Sequence, residues 1–344
     1  MSDTLGIGIV GAGVIGNVHA GALEDVDGTR VVAVAEPRED AGRELARRTG
    51  ATWYPTYEEL LDNPDVDLVI LATPSGLHSE QAVLAARAGK HIVTEKPMAI
   101  TPEGLDRMIE AVEASDIEMA VIFQNRLSAD VVKVKRAVEA GMIGKPIIGN
   151  AFVHWHRTQD YYNANGGWRG TWAMDGGGAL MNQSIHTIDL VQWIMGGVSA
   201  VSANTATLTH DIETEDTASA SVTFRSGAIG SIQGTTSAGK DWPVRVEIVG
   251  TGGRAVLEGG SLTAWEGDSE LTDEILTPTD REFVAGWTPD EPFGGAHRRQ
   301  LKLIVKSLRD GETPPVPGRE ARKAVDVILA IYESARTGGR VAVS

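Results

Sequence analysis

The chain contains no cysteine. Disulfides, thiolate catalysis and cysteine-ligated metal are thereby excluded. Positive charge is also scarce. The 31 Lys and Arg stand against 47 Asp and Glu, and the formal charge of -16 disfavours nucleic acid and anionic membrane surfaces. No apolar run reaches the length that spans a bilayer. The start, MSDTLGIGIVG, lacks a basic region followed by an apolar core and a cleavage site. These absences lead us to expect a soluble, cytoplasmic protein with neither a nucleic-acid nor a membrane partner. What remains, 344 residues of ordinary apolar content, is long enough for two domains with separate cores.

One stretch organises the first domain. Ile7, Ile9 and Val10 lead into Gly11-Ala12-Gly13-Val14-Ile15-Gly16, and helical spacing follows. In such a pattern the first glycine allows a tight turn, the second lets backbone approach a pyrophosphate, and the third lets the helix pack on the sheet. The N–H groups at the helix start, around Val14 and Ile15, face the phosphates. Glu36 ends the next apolar run, where an acid can accept hydrogen bonds from both adenine-ribose hydroxyls. A carboxylate there repels a 2′-phosphate, so NAD is expected and NADP disfavoured; Arg38 is the residue that would reverse the choice.

Strands at Gly6–Val10, Arg30–Ala35, Leu68–Leu71, His91–Thr94 and Glu118–Ile122 alternate with helical patterns at Arg38–Thr49, Ser79–Ala88 and Pro102–Ala114. That alternation implies a doubly wound parallel sheet over 1–123 with its ligand at the strands' carboxyl ends. The loops there are 11–16, Glu36-Pro37-Arg38, Thr73-Pro74-Ser75 and Glu95-Lys96-Pro97. From 124 to 344 the pattern changes. A helix at Ala129–Ala140 precedes strand-like runs at Ile147–His156, Val198–Leu208, Ala218–Phe224, Ile229–Thr235, Val244–Val249 and Arg254–Leu257. Glycine turns between several of them indicate an α+β domain with a largely antiparallel, open-faced sheet. Acidic residues 266–291 read as a surface excursion, and helices at Ala296–Leu308 and Gly318–Arg336 close the second domain.

Three groups carry chemistry. Lys96, on a strand tip at the crevice, suits stabilisation of a developing alkoxide, although a Glu-Lys-Pro triplet alone is more often surface sequence than active site. The run Gly176-Gly177-Gly178 feeds a helix on which Asn182, His186, Asp189 and Trp193 fall at spacings of four, three and four. His186 suits removal of a hydroxyl proton near neutral pH, or it is a satisfied structural histidine; Asp189 orients its ring or caps a neighbouring element. Few residues of the chain are aromatic, yet Trp155, Tyr161, Tyr162, Trp168 and Trp172 crowd one stretch with His154, His156, Arg157 and Arg169. Such a mixture suits the faces and hydroxyls of a sugar, or a subunit contact. His154 and His156 lack acidic partners at ligand spacing, so no metal is expected.

Together these residues resemble the glucose–fructose oxidoreductase/inositol dehydrogenase (Gfo/Idh/MocA) family over nearly the whole chain. The resemblance rests on Gly11–Gly16, Thr73-Pro74 followed by His78, Glu95-Lys96-Pro97, Gln124-Asn125-Arg126, the triple glycine leading to His186 and Asp189, and Gly318-Arg-Glu-Ala-Arg-Lys-Ala. It implies a Rossmann domain, with Thr73, Pro74, His78 and Glu95 beside the cofactor. It also implies hydride transfer between NAD and a secondary hydroxyl of a sugar, polyol or sugar derivative. Lys96 matches the active-site lysine and His186 the active-site histidine, while Gln124 and Arg126 line the substrate with His156, Arg157, Trp168 and Arg169. Where many members carry aspartate, this chain has Asn182, which positions a hydroxyl but cannot take its proton. The alternatives are an NAD-recycling glycosidase or lyase and a non-catalytic NAD-binding regulator. The resemblance further implies a homodimer or homotetramer formed through the second sheet, expected to bury an apolar open face.

Overall fold

The computed structural model describes residues 4–289 and 291–343. The chain divides into two compact units, Met1–Gln124 with Asp290–Ala321, and Asn125–Pro289 with Arg322–Ser344. Among the described residues no helix is long and apolar enough to cross a membrane.

The first unit runs β1 (Leu5–Val10), α1 (Val14–Leu23), β2 (Thr29–Ala35), α2 (Glu39–Thr49), β3 (Thr52–Tyr54), α3 (Tyr57–Leu61), β4 (Leu68–Leu71), α4 (His78–Arg87), β5 (His91–Thr94), α5 (Pro102–Glu113) and β6 (Met119–Val121). Its strands are parallel, in the order β3-β2-β1-β4-β5-β6. Val, Ile and Leu fill these strands because helices cover both faces, and Ile7, Ile9, Ile70 and Val93 are fully enclosed. The winding reverses between β1 and β4, so all four expected loops lie along one edge around that switch point. Local signals hold too: Thr101 caps α5 by accepting from the Gly104 N–H at 3.0 Å, with Pro102 following it.

One expectation needs correction. Residues 290–321, assigned from sequence to the second domain, group with the first unit. The cause is an apolar stripe. Leu301, Ile304 and Val305 on the helix Gly295–Asp310 join the buried cluster of Ile7, Ala20 and Leu23. The Gln300 amide also donates to the Val121 carbonyl at 2.8 Å.

The second unit contains α6 (Ala129–Glu139), β7 (Pro146–His154), α7 (Gln159–Asn163), α8 (Ile185–Ile194), β8 (Val198–Ala206), β9 (Thr217–Phe224), β10 (Ile229–Thr235), β11 (Arg245–Gly250), β12 (Arg254–Glu258), β13 (Ser261–Glu266) and β14 (Val341–Ala342). The sheet order is β13-β12-β11-β7-β10-β9-β8-β14, antiparallel except where β7 meets β10. The excursion expected at 266–291 begins on the last residue of β13, which pairs with β12, and it is anchored. Asp280 closes a capping box with Thr277 and takes a two-point ion pair from Arg136.

One sheet face carries α8 and the turn before it. The open face is mixed: Thr223, Ile229, Ile148 and Val249 form a largely apolar row at one end, and the rows beside it are more polar. Ser202, Ser221, Ser231, Asn150 and Glu247 align in one cross-strand row, and Asn204, Ser219, Gln233, Phe152 and Arg245 in the next. Alternation places these residues opposite the buried Val201, Ala220 and Ile232.

Candidate active site

The glycine loop after β1 fits a dinucleotide. Gly11 sits at φ +100, and a Cβ there would lie 2.7 Å from the Ala72 carbonyl oxygen. A Cβ at Gly16 would come within 2.0 Å of the Gly11 carbonyl, so helix and loop pack at a distance only glycine permits. Gly13 is different: nothing lies within 4 Å of its would-be Cβ. It caps α1 without a side-chain bond, so the helix start at Val14 and Ile15 presents its N–H groups outward. Glu36 Oε2 accepts the Ala12 N–H at 2.7 Å, and Oε1 takes the Arg38 Nε at 2.7 Å. Burial pushes the Glu36 carboxyl up, but Arg38 and the Ala12 N–H outweigh it and hold it below the usual range. An ionised acid therefore stands beside the loop, which suits ribose hydroxyls and opposes a 2′-phosphate.

Lys96 follows β5 and is half-buried. Glu95 beside it does not face outward as a cofactor ligand would. Its Oε1 contacts His19 Nε2 at 2.8 Å and lies 3.7 Å from His297 Nε2, and all three side chains are buried. The two imidazoles meet edge to face at 5.5 Å. Burial raises the Glu95 carboxyl, but the His19 bond and the charges of His19, His297 and Lys96 bring it down to about 2. Sequence reasoning missed both histidines. His19 sits on the dinucleotide helix and His297 nearly 280 residues later, so no local spacing links them.

His78 also departs from its expected place. Its ring is enclosed, with Nδ1 2.8 Å from the Pro97 carbonyl oxygen and Nε2 2.9 Å from that of Thr73. A neutral ring donates to one of these acceptors at a time, so His78 ties the Thr73 loop to the Lys96-Pro97 turn. The Thr73 hydroxyl donates to Gln81, and Pro74 leads into the turn before α4.

In the second unit, residues Ala179–Ser184 form a π-helical turn that runs directly into α8. Asn182 therefore lies on that turn, not on the same α-helix as His186. Its amide Nδ2 donates to Asp175 Oδ1 at 2.6 Å, while its Oδ1 accepts from Gln183 Nε2 at 3.0 Å. Asn182 and His186 are half-buried, whereas Asp189 is enclosed. Asp189 grips Arg126 through two short bonds, 2.6 Å from Nε and 2.5 Å from Nη2, beneath the Trp193 ring. In that pair Asp189 holds an arginine side chain rather than capping a neighbouring element. Arg126, expected along the substrate wall, is buried in this pair. Gln124 is half-buried at the end of the first unit.

The aromatic stretch gathers beside Asn182. Tyr161 accepts from Gln183 Nε2 at 2.6 Å. The Arg157 guanidinium lies over Trp155 and Tyr161 and donates to Gln183 at 3.2 Å. Arg169 lies 4.7 Å from the Tyr161 ring centroid and 4.8 Å from that of Trp168. His156 is exposed and bonds to Ala238 and Asp241.

Comparison with known proteins agrees with this arrangement. Residues 5–123 match an oxidoreductase family with an NAD-binding Rossmann fold, and residues 131–256 match the GFO/IDH/MocA C-terminal domain. The chain is 30% identical over 327 residues to myo-inositol 2-dehydrogenase of Thermotoga maritima, covering 93% of this chain and 92% of that one. It is likewise 30% identical to levoglucosan dehydrogenase of Pseudarthrobacter phenanthrenivorans, over 99% of this chain and 94% of that enzyme. The crystal structure of the WlbA dehydrogenase from Bordetella pertussis, in complex with NADH and UDP-GlcNAcA, superimposes with a TM-score of 0.92 at 34% identity. That alignment covers 100% of this chain and 99% of that one. Dehydrogenase names throughout these relatives favour oxidoreduction over the glycosidase, lyase and regulator alternatives. With a glycine cradle, an ionised acid beside it and both domain types in sequence, the chain belongs to the Gfo/Idh/MocA family of NAD-dependent oxidoreductases.

Proposed function

We propose that the substrate is an anionic sugar derivative, a uronic acid of an amino sugar carried on a nucleoside diphosphate, oxidised at a secondary hydroxyl. Arg169 carries this reading. Its guanidinium stacks on Tyr161 and Trp168, yet among the described residues no carboxylate lies within ion-pair distance of it. In a chain of net charge -16, such a cation beside the Tyr161–Gln183–Asn182 network suits an acidic ligand. UDP-GlcNAcA, present with the B. pertussis relative, has that chemistry.

NAD, when bound, supplies acceptance of a hydride. The chain supplies the rest. The Lys96 ammonium stabilises charge developing on the substrate oxygen. His186 takes the hydroxyl proton, and Asn182, held by Asp175, orients that hydroxyl. Pairing of copies through the second sheet stays part of this reading, as a contact between open faces that are apolar in one row and polar in others, which light scattering reads directly.

The test follows NADH formation with UDP-GlcNAcA, UDP-GlcNAc, myo-inositol and levoglucosan. Turnover is expected with the acidic nucleotide sugar, and Arg169→Gln should raise its KM by about 10- to 100-fold, the worth of a charge-assisted hydrogen bond. A higher kcat/KM for myo-inositol than for UDP-GlcNAcA overturns the assignment.

A further inference from the structure

The triple glycine has a use that no phosphate or substrate role explains. A Cβ on Gly177 would lie 2.1 Å from the Tyr332 hydroxyl oxygen, and one on Gly178 would lie 1.9 Å from the Glu215 carbonyl oxygen. Only glycine therefore lets Tyr332, on the helix Gly318–Thr337, and Glu215 close on this backbone. Glu215 is 3% exposed. Its Oε2 accepts the Gly178 N–H at 3.0 Å, and its Oε1 accepts the Leu180 N–H at 2.8 Å. The same Oε1 accepts the Tyr332 O–H at 3.0 Å, and the Glu215 main-chain oxygen takes the Ala179 N–H at 3.0 Å. One residue thus satisfies three consecutive N–H groups at the start of a turn whose own cap, Gly178, offers no side chain.

That turn carries Asn182 and leads into α8, which carries His186. A π turn holds one more residue than an α turn, and it is stable only where its odd bonds are supported. The direction of both side chains depends on that support. We propose that Glu215 and Tyr332 are positioning residues for Asn182 and His186, locking the π turn through the Gly177-Gly178 backbone. The proposal rests on the reading that Asn182 and His186 act on substrate.

Tyr332 is itself wedged edge-on against Trp172 at 5.3 Å. Among the charged groups nearby, Asp175 faces Tyr332, while the Asp216 carboxylate turns away to the N–H groups of Leu208, Thr209 and His210. Burial pushes the Glu215 carboxyl up to about 7, against the pull of its N–H donors and Tyr332. When ionised its carboxylate accepts from the Gly178 and Leu180 N–H groups and the Tyr332 hydroxyl; when protonated it carries an O–H that needs an acceptor of its own and it holds those donors more weakly.

Tyr332→Phe removes one donor without emptying the core. It should cut kcat by about tenfold, the worth of one hydrogen bond to a charged group, with KM for NAD unchanged. The limb of the pH profile due to Glu215 should move to higher pH, because one group favouring the carboxylate is gone. Glu215→Gln sets an amide NH2 against a main-chain N–H and should cost about 100-fold in kcat. Independently of turnover, hydrogen exchange in the 177–186 peptide should speed up by about tenfold in Tyr332→Phe. Faster exchange in a protein that oxidises no sugar would support the locked turn and defeat the catalytic reading alone. An unchanged pH profile together with unchanged exchange in Tyr332→Phe overturns the proposal, whether or not Glu215→Gln folds.

Discussion

Asn182→Asp is the substitution that would bring this chain to the commoner family pattern, and the structure says it should do harm. The Asn182 amide donates to Asp175 Oδ1 at 2.6 Å, and Asp175, 1% exposed, also accepts the Gly170 N–H at 2.8 Å. Aspartate at 182 would replace that donor with an oxygen. Two like charges about 4 Å apart repel by about 4 kcal/mol at an effective dielectric of about 20. That corresponds to a shift of about 3 pK units, so the pair keeps one proton near about pH 7. The sign follows from linkage. The shared carboxyl has a folded pKa raised above the unfolded value of about 3.9. Its contribution is present below that value and is lost as pH rises through the raised folded pKa. Thermal unfolding by circular dichroism should therefore show Asn182→Asp close to the parent at about pH 4. It should fall progressively behind toward about pH 7, by up to about 4 kcal/mol. The swapped double variant Asp175→Asn/Asn182→Asp restores one donor and one carboxylate, so it should recover most of the loss. A stability deficit that does not change with pH, or a swap no better than the single variant, refutes the reasoning.

Glu36→Ala should narrow the preference for NAD over NADP in calorimetric titration, because the ionised acid beside Ala12 is removed; an unchanged ratio would clear Glu36 of the discrimination. Asp189→Asn removes the carboxylate facing the buried Arg126 charge and should cost about 3–5 kcal/mol by urea unfolding. The double variant Arg126→Met/Asp189→Leu should cost less than that single one. Burial, outweighing the attraction of Glu95, pushes His297 down to about 4 from 6.5. Between those values the unfolded chain binds the extra proton, so stability should rise with pH, at up to about 1.4 kcal/mol per unit. His297→Gln should flatten that slope in denaturant titrations run across the window.

The parallel sheet was readable because its strands are short, doubly buried runs of Val, Ile and Leu, and its loops carry residues with special backbone needs. Glu36 and the glycines were legible for the same reason: their chemistry is local, within one strand–loop–helix unit. The site in the second unit was only half legible. Spacing on an ideal helix put Asn182, His186 and Asp189 on one face, but a π turn shifts the register after Ser184, and Asp189 turns inward to Arg126. Nothing in local spacing tells an α turn from a π turn, because the support comes from Glu215 and Tyr332, distant in sequence. The same limit hid the cluster around Glu95. Its partners are contributed by α1 and by a helix near the end of the chain, and only the folded sheet brings them together.

The return of residues 290–321 to the first unit carries a consequence for the order of synthesis. When the ribosome has completed β6, Ile7, Ala20 and Leu23 still lack Leu301, Ile304 and Val305, the residues that finish their core. Those residues emerge about 10–40 s later at ordinary rates of elongation. Until then the dinucleotide-binding half has an apolar face open to other nascent chains and to chaperones. A fragment ending near Gln124, though it holds every strand of the parallel sheet, should aggregate where the whole chain folds.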